Sequence, residues 1–166
     1  QPQLDFFSQE GYLSYGPLLK AEEVELLRRE YDEVFRKAVE ENSFRNLSQD
    51  DGQPAQEKAS ARVQMFQIMQ VCERNIHFRK LLYDSRILDL VQDLLGPNLM
   101  LFHDQALFKP AKHGGPVLWH QDNAYWQCRP ANLVSCWLTL DDVVRALKAV
   151  ERLRETLPEV ASPGVT

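Results

Sequence analysis

Residues 99–108 read Leu-Met-Leu-Phe-His-Asp-Gln-Ala-Leu-Phe, and residues 133–140 read Leu-Val-Ser-Cys-Trp-Leu-Thr-Leu. Both stretches are rich in aliphatic residues and contain aromatic ones, and the second also contains Thr139, a composition typical of β-strands. Between them, residues 110–116 form a turn rich in Gly, Pro and His. The two stretches therefore predict two strands late in the chain.

The earlier part of the chain is predicted to be mainly helical. Apolar residues recur there at steps of three and four, which indicates an amphipathic helix over residues 20–41. The stripe consists of Val24, Leu27, Tyr31, Val34 and Ala38. Further helices are predicted at 4–9, 75–83 and 85–95, a polar loop at 42–61, and one strand, from alternating polar and apolar residues, at 62–71. Because helices precede strands, the order favours an α+β fold.

The length and composition of the chain predict a single domain that can bury a hydrophobic core. The chain has 166 residues, of which 44% are hydrophobic and 26% are charged, close to the average of globular proteins. We expect one domain over residues 1–142. A charged amphipathic helix and tail, whose placement the sequence leaves open, is expected over 143–166.

Charge and cysteine content limit the classes of partner and the compartment. The net charge of −5 disfavours a chain-wide grip on nucleic acid. No apolar run approaches the ~20 residues that span a membrane, and the first residues do not look like a signal peptide. The three cysteines form no CxxC pair, so neither a disulfide framework nor a thiolate zinc site is supported. We expect a cytoplasmic protein that binds neither nucleic acid nor membrane.

The densest group of chemically versatile residues is Trp-His-Gln-Asp-Asn-Ala-Tyr-Trp at 119–126. In a strand, alternate side chains share a face, so His120 and Asp122 would point the same way. An imidazole and a carboxylate are two of the three ligands in the facial triad that holds non-haem Fe(II). The plainer alternative is that His120 is a hydrogen-bonded polar group and Asp122 begins a turn.

Several motifs surround this pair in a fixed order. They are Gly96-Pro97-Asn98, a strand with His103 and Lys109-Pro110, the His-Gly-Gly loop at 113–115, His120-Gln121-Asp122, Arg129-Pro130 and Cys136-Trp137. Together with Phe7 and Glu10-Gly11-Tyr12-Leu13 near the start, they resemble the phytanoyl-CoA dioxygenase family over residues 4–142. The resemblance implies a double-stranded β-helix (jelly roll), apparently incomplete here. It also implies an enzyme that uses Fe(II), 2-oxoglutarate and O₂.

The activity implied is hydroxylation of an unactivated C–H bond in a small molecule or acyl thioester, with release of succinate and CO₂. By position, His120 and Asp122 match the first two iron ligands, and the presence of Asp122 favours hydroxylation over halogenation. Trp137 matches a position beside 2-oxoglutarate, Gln105 a position lining the cosubstrate, and Arg62 a basic position near it. For Trp137 the alternative is ordinary burial in a strand, and for Arg62 a solvated charge at a strand end.

The family pattern continues with a second His ligand and an Arg that pairs with the far carboxylate of 2-oxoglutarate. In this sequence no His follows His120, and Arg145, Arg152 and Arg154 fall on the predicted C-terminal helix without a preceding His. Three explanations stay open: an interior stretch absent from this sequence, a truncated chain, or a terminal helix that covers the open sheet of a binding module. The retained ligand pair favours the first.

Two other functions compete with the oxygenase. The protein could be a truncated, non-catalytic interaction module of the same fold that dimerises through an exposed strand edge or through residues 143–157. It could also be a cupin-like isomerase whose metal is held by His103, His120 and Asp122, although a structural role is favoured for His103.

Overall fold

The computed structural model describes residues 1–47, 65–110, 114, 120, 122–126 and 128–141. The helices in these ranges are α1 (Pro2–Glu10), α2 (Ala21–Glu40), α3 (Val71–Arg74), α4 (Ile76–Leu81), α5 (Ser85–Leu95) and α6 (Asp122–Trp126). The strands are β1 (Arg45–Asn46), β2 (Phe66–Met69) and β3 (Gln105–Phe108). This mixture of helices and strands confirms the α+β class.

The chain divides into two compact units. The smaller unit contains residues 1–19 and, among the described residues that follow, 135–141. Its helix α1 ends at Gly11, which has a φ of 74° in the left-handed region. Glycine adopts this conformation without the steric cost that a Cβ would bring, and it therefore suits the end of this helix.

The larger unit, residues 20–134, contains an antiparallel sheet with β2 between β1 and β3. Its core joins α2, β2, α3 and β3 through the buried side chains of Val34, Ala38, Ile68, Val71 and Ala106. The hydroxyl of Tyr31 donates a hydrogen bond of 2.7 Å to the backbone oxygen of Leu107. The apolar stripe predicted from the sequence therefore places α2 against the sheet.

A network of ion pairs ties α5 to the start of α2. The guanidinium of Arg86 donates to both carboxylate oxygens of Glu23, at 2.9 and 2.8 Å. It also donates to Asp84, whose Oδ1 accepts a bond of 3.0 Å from the backbone N–H of Arg86. Asp84 is therefore the N-cap of α5.

The predicted strands are shorter in the structure, and one is absent. The strand predicted at 62–71 is confined among the described residues to β2, because Gln70 has a φ of 57° and Val71 begins α3. The strand predicted at 99–108 is confined to β3. Residues 133–140 form no strand, because their backbone has no ladder partner within the described part of the chain.

The jelly roll stays a prediction, because the described ranges contain three strands in one open sheet, whereas a jelly roll has about eight. The predicted division at residue 142 also stays a prediction. Most of the predicted loop at 42–61 and the helix at 143–157 lie outside the described residues. Within the described ranges, no helix has the length and apolarity needed to span a bilayer.

Candidate metal centre

The side chains of His120 and Asp122 converge in the structure. Nε2 of His120 lies 3.2 Å from Oδ1 of Asp122, and the two side chains are 36% and 38% exposed. The expectation that both residues lie on one strand is wrong, because Asp122 is the first residue of α6. An acidic residue in the first turn and Ala124 in the middle both favour a helix here. The two side chains therefore converge as predicted, although Asp122 lies on a helix and not on the predicted strand.

The donor set fits two adjacent positions around one divalent ion. Ligand atoms ~2.1 Å from such an ion and at right angles to each other lie ~3 Å apart. The Nε2–Oδ1 distance of 3.2 Å agrees with this value, and it agrees equally with the alternative of a direct polar contact between the imidazole and the carboxylate. The two side chains are 36% and 38% exposed, so solvent reaches both of them. An imidazole with a carboxylate also suits Fe(II) chemically.

The described residues supply two ligands rather than three. No group of three or more His, Cys, Asp or Glu side chains there is placed to hold a metal ion. The cupin-like alternative, which needs His103 beside His120 and Asp122, is therefore wrong. His103 instead turns its ring toward Trp126, with centroids 4.8 Å apart and planes at 84°.

Two aromatic residues of α6, for which the sequence suggested no role, contact the histidines. The ring of Tyr125 meets the imidazole of His120 edge to face, with centroids 5.7 Å apart. The ring of Trp126 contacts both His103 and Phe102, the latter at 5.6 Å. A sequence signal exists in retrospect, since Asp122 and Trp126 are four residues apart and would share a face if the segment is helical.

Gln105, predicted to line the cosubstrate site, is the first residue of β3. It pairs with Met69 across the sheet, and its Oε1 accepts a hydrogen bond from Nε2 of Gln67. Its side chain is exposed but already engaged with a neighbouring strand. The cosubstrate role of Gln105 stays a prediction.

Trp137 and Arg62 are the other two residues predicted to bind the cosubstrate, and of these only Trp137 lies in the described part of the chain. Trp137 belongs to the smaller unit, is 64% exposed and lies in no strand. The alternative of ordinary burial in a strand is therefore wrong for this residue. Arg62 lies outside the described residues, as does His113 of the His-Gly-Gly loop.

The residue after His103 anchors the backbone that leads into β3. The carboxylate of Asp104 accepts a 2.9 Å hydrogen bond from the backbone N–H of Cys72, and its backbone oxygen accepts one of 2.8 Å from Gln70. Burial of the thiol, together with the Asp104 carboxylate, raises the pKa of Cys72 to about 11. Cys72 is thus protonated at neutral pH, which suits a structural thiol and does not suit a nucleophile.

Comparison with curated proteins found relatives that share one name. The chain is 28% identical to human "Phytanoyl-CoA dioxygenase, peroxisomal" over 152 residues. It is 24% identical to the rat protein of the same name over 151 residues and 27% identical to the bovine one over 152. Each alignment covers 86% of this chain and 43% of the relative. The chain thus spans less than half the length of the curated relatives it matches.

The comparison with solved structures found no match. The comparison with family models matched residues 7–146 to the family described as phytanoyl-CoA dioxygenase, a family of oxygenases that generally depend on Fe(II) and 2-oxoglutarate. This match includes the converging pair, its flanking motifs and the helix α2. On that evidence the chain belongs to the phytanoyl-CoA dioxygenase family.

Proposed function

We propose that this protein is an Fe(II)- and 2-oxoglutarate-dependent dioxygenase. Its reaction would hydroxylate an unactivated C–H bond of a small molecule or acyl thioester and release succinate and CO₂. The observation that carries the proposal is the 3.2 Å approach of Nε2 of His120 to Oδ1 of Asp122, inside the stretch matched to the family model.

In this proposal His120 and Asp122 bind the iron, which supplies the O₂ chemistry when it is present. His120 must be neutral at Nε2 to offer its lone pair, while Asp122 offers an anionic oxygen. The ring of Tyr125 packs against the imidazole of His120 and limits the orientations that this ligand can take. The two residues therefore bring a nitrogen and an oxygen ligand atom within 3.2 Å of each other.

Binding of 2-oxoglutarate requires cations and polar groups for its two carboxylates. We assign Trp137, Gln105 and Arg62 to this task, as the family resemblance implies. Arg62 is suited to it because a guanidinium can bind a carboxylate through two parallel hydrogen bonds. The second His and the Arg of the family pattern have no counterpart after His120 in this sequence. The third iron ligand is therefore not assigned.

The proposal is tested by turnover of the cosubstrate without added primary substrate. The protein is incubated with Fe(II), ascorbate and 2-oxoglutarate in air, and succinate and CO₂ are measured. We expect slow succinate formation by the wild type and only the protein-free background for His120→Ala and Asp122→Ala. Asp93→Ala, which changes an exposed carboxylate on α5, is the matched control and should equal the wild type. Equal succinate formation by His120→Ala would refute the proposal.

A second candidate is a non-catalytic protein that forms a homodimer through its sheet. The observation in its favour is that β3 pairs only with β2 among the described strands, while Leu107 and Phe108 are about 40% exposed. Strand edges of this kind are templates for pairing with another chain. Light scattering at several concentrations distinguishes the candidates, since a monomer that turns over 2-oxoglutarate excludes this one.

The cellular location and the substrate are proposals as well. We propose a cytoplasmic enzyme that acts on a small molecule. The names of the rat and human relatives place those proteins in the peroxisome, so a tagged protein imaged against markers of both compartments would test the location.

A further inference from the structure

Helix α6 is too short to be stable by itself. It has five residues, whereas isolated helices shorter than ~12–15 residues are marginal in water. Asn123, Ala124 and Tyr125 are exposed, so this helix buries little on its outer side. Its position must therefore be fixed by contacts at its ends.

The contact at the C-terminal end of α6 is aromatic. Trp126 meets His103 edge to face, with centroids 4.8 Å apart, and its ring is tilted against Phe102 at 5.6 Å. Beyond the helix, Oδ1 of Asn123 accepts a 2.8 Å hydrogen bond from the backbone N–H of Cys128. The ring of Trp126 thus packs against Phe102 and His103.

Both proposed iron ligands depend on this helix. Asp122 is its first residue and Trp126 its last, four positions apart, so the two side chains lie on the same face. Tyr125, from the same helix, packs on the imidazole of His120. A rotation or shift of α6 would therefore displace the Asp122 carboxylate and the ring that supports His120 together.

The backbone next to His103 is fixed by hydrogen bonds to the neighbouring residue, Asp104. Asp104 receives hydrogen bonds from the backbone N–H groups of Gln70 and Cys72, and the next residue begins β3. Contact with His103 thus connects the short helix to the sheet.

We propose that His103 is a positioning residue of the metal centre, which acts through its edge-to-face contact with Trp126. The contact fixes the orientation of α6 and so keeps the Asp122 carboxylate beside His120. This inference rests on the proposed function, since it assumes that His120 and Asp122 bind a metal ion. His103 itself is not assigned as a metal ligand.

The test measures the affinity of the whole protein for Co(II), which binds the same ligand types and is stable in air. Calorimetric titration gives Kd, and the visible absorption of bound Co(II) reports its coordination. His103→Leu fills the space without a ring, and we expect Kd to rise about tenfold, as for other residues that orient ligands. His103→Phe keeps the ring, and we expect its Kd to stay within about threefold of the wild type.

A matched control separates positioning from general stability. His77 on α4 is also half-buried: its Nε2 lies 4.0 Å from Oε1 of Glu30, and its backbone N–H donates to the N-cap Asn75. His77→Leu should lower the thermal midpoint without changing the Kd for Co(II). If His103→Leu fails to fold, Trp126→Leu removes the same contact from the other side and should also raise Kd about tenfold.

The outcomes for the two proposals differ. If His120→Ala binds Co(II) as tightly as the wild type, the metal centre itself is refuted. If His120→Ala loses binding while His103→Leu keeps the wild-type Kd, the metal centre stands and the positioning role of His103 is overturned. That role is also overturned if His103→Phe binds Co(II) as weakly as His103→Leu.

Discussion

The carboxylate of Asp122 lies 3.2 Å from the imidazole of His120 and at the start of a five-residue helix, α6. The fourth residue of that helix, Tyr125, packs on the same imidazole. The geometry of the pair therefore depends on whether this helix is formed.

Ala124→Gly should weaken metal binding without touching a ligand. Ala124 is exposed in the middle of α6, where glycine costs about 1 kcal/mol of helix stability relative to alanine. If metal binding requires the helix, Kd for Co(II) should rise up to about fivefold. Ala131→Gly, at an exposed position outside the helices, should leave Kd unchanged. An unchanged Kd in Ala124→Gly would contradict the dependence on α6.

Glu23→Gln should destabilise the fold in a pH-dependent manner. Hydrogen bonds from Arg86, and next from the backbone N–H of Lys20, lower the pKa of Glu23 from 4.5 to about 2. A carboxylate with a lowered pKa in the folded state stabilises it fully above its unfolded pKa. That stabilisation is lost as the pH falls through the folded pKa. The urea midpoint of Glu23→Gln should therefore lie below that of the wild type at pH 7.

The difference between the two midpoints should shrink as the pH falls from about 4.5 toward 2. Glu22→Gln is the matched control, because Glu22 lies in the same first turn of α2 and is exposed. It should shift the midpoint less at pH 7. A difference between wild type and Glu23→Gln that stays constant down to pH 2.5 would show that the ion pair with Arg86 does not form in solution.

Ile68→Ala should test the core that holds the sheet against α2. Ile68 is fully buried on β2, in the cluster with Val34, Ala38 and Ala106. Removing a buried aliphatic side chain of this size costs about 2–5 kcal/mol of unfolding free energy. Urea denaturation should show this loss, whereas Val39→Ala, at an exposed position on α2, should cost less than about 0.5 kcal/mol. A loss below about 1 kcal/mol for Ile68→Ala would contradict the packing described.

The three cysteines should react with iodoacetamide at different rates. The pKa of Cys72, raised to about 11 by burial and by Asp104, leaves almost no thiolate at pH 7.5. Mass spectrometry after brief alkylation should find Cys72 unmodified in the native protein and modified after unfolding in urea. Cys128 and Cys136 are more exposed than Cys72, but desolvation also raises the pKa of Cys136, so Cys128 should be labelled first. Native labelling of Cys72 at the rate of the other two would contradict its burial beside Asp104.

The sequence predicted well those features that depend on local pattern. The apolar stripe predicted α2 over 20–41, and the helix spans Ala21–Glu40 with Leu27, Val34 and Ala38 buried. The end of α1 at Gly11 is equally local, since a left-handed φ depends on the glycine itself. Helix periodicity and glycine conformation need no knowledge of distant residues.

The predictions that failed depended on tertiary partners. Residues 133–140 have the composition of a strand, but a strand also needs a neighbour for its backbone hydrogen bonds, and composition does not supply one. Trp137 accordingly lies exposed outside any strand. For His120 and Asp122, the spacing predicted that the side chains converge but not that Asp122 begins a helix. That helix is held by the packing of Trp126 on His103 and Phe102, a contact between residues distant in sequence that local spacing does not reveal.

The most direct test of the central claim, that His120 and Asp122 hold iron for a 2-oxoglutarate-dependent reaction, is anaerobic absorption spectroscopy. Fe(II) and 2-oxoglutarate are added to the protein without oxygen, and the visible spectrum is recorded. We predict a metal-to-ligand charge-transfer band for the wild type that is lost in His120→Ala and Asp122→Ala and kept in Asp93→Ala. A wild-type spectrum without the band, in protein shown to be folded and with Fe(II) present in solution, would contradict the claim.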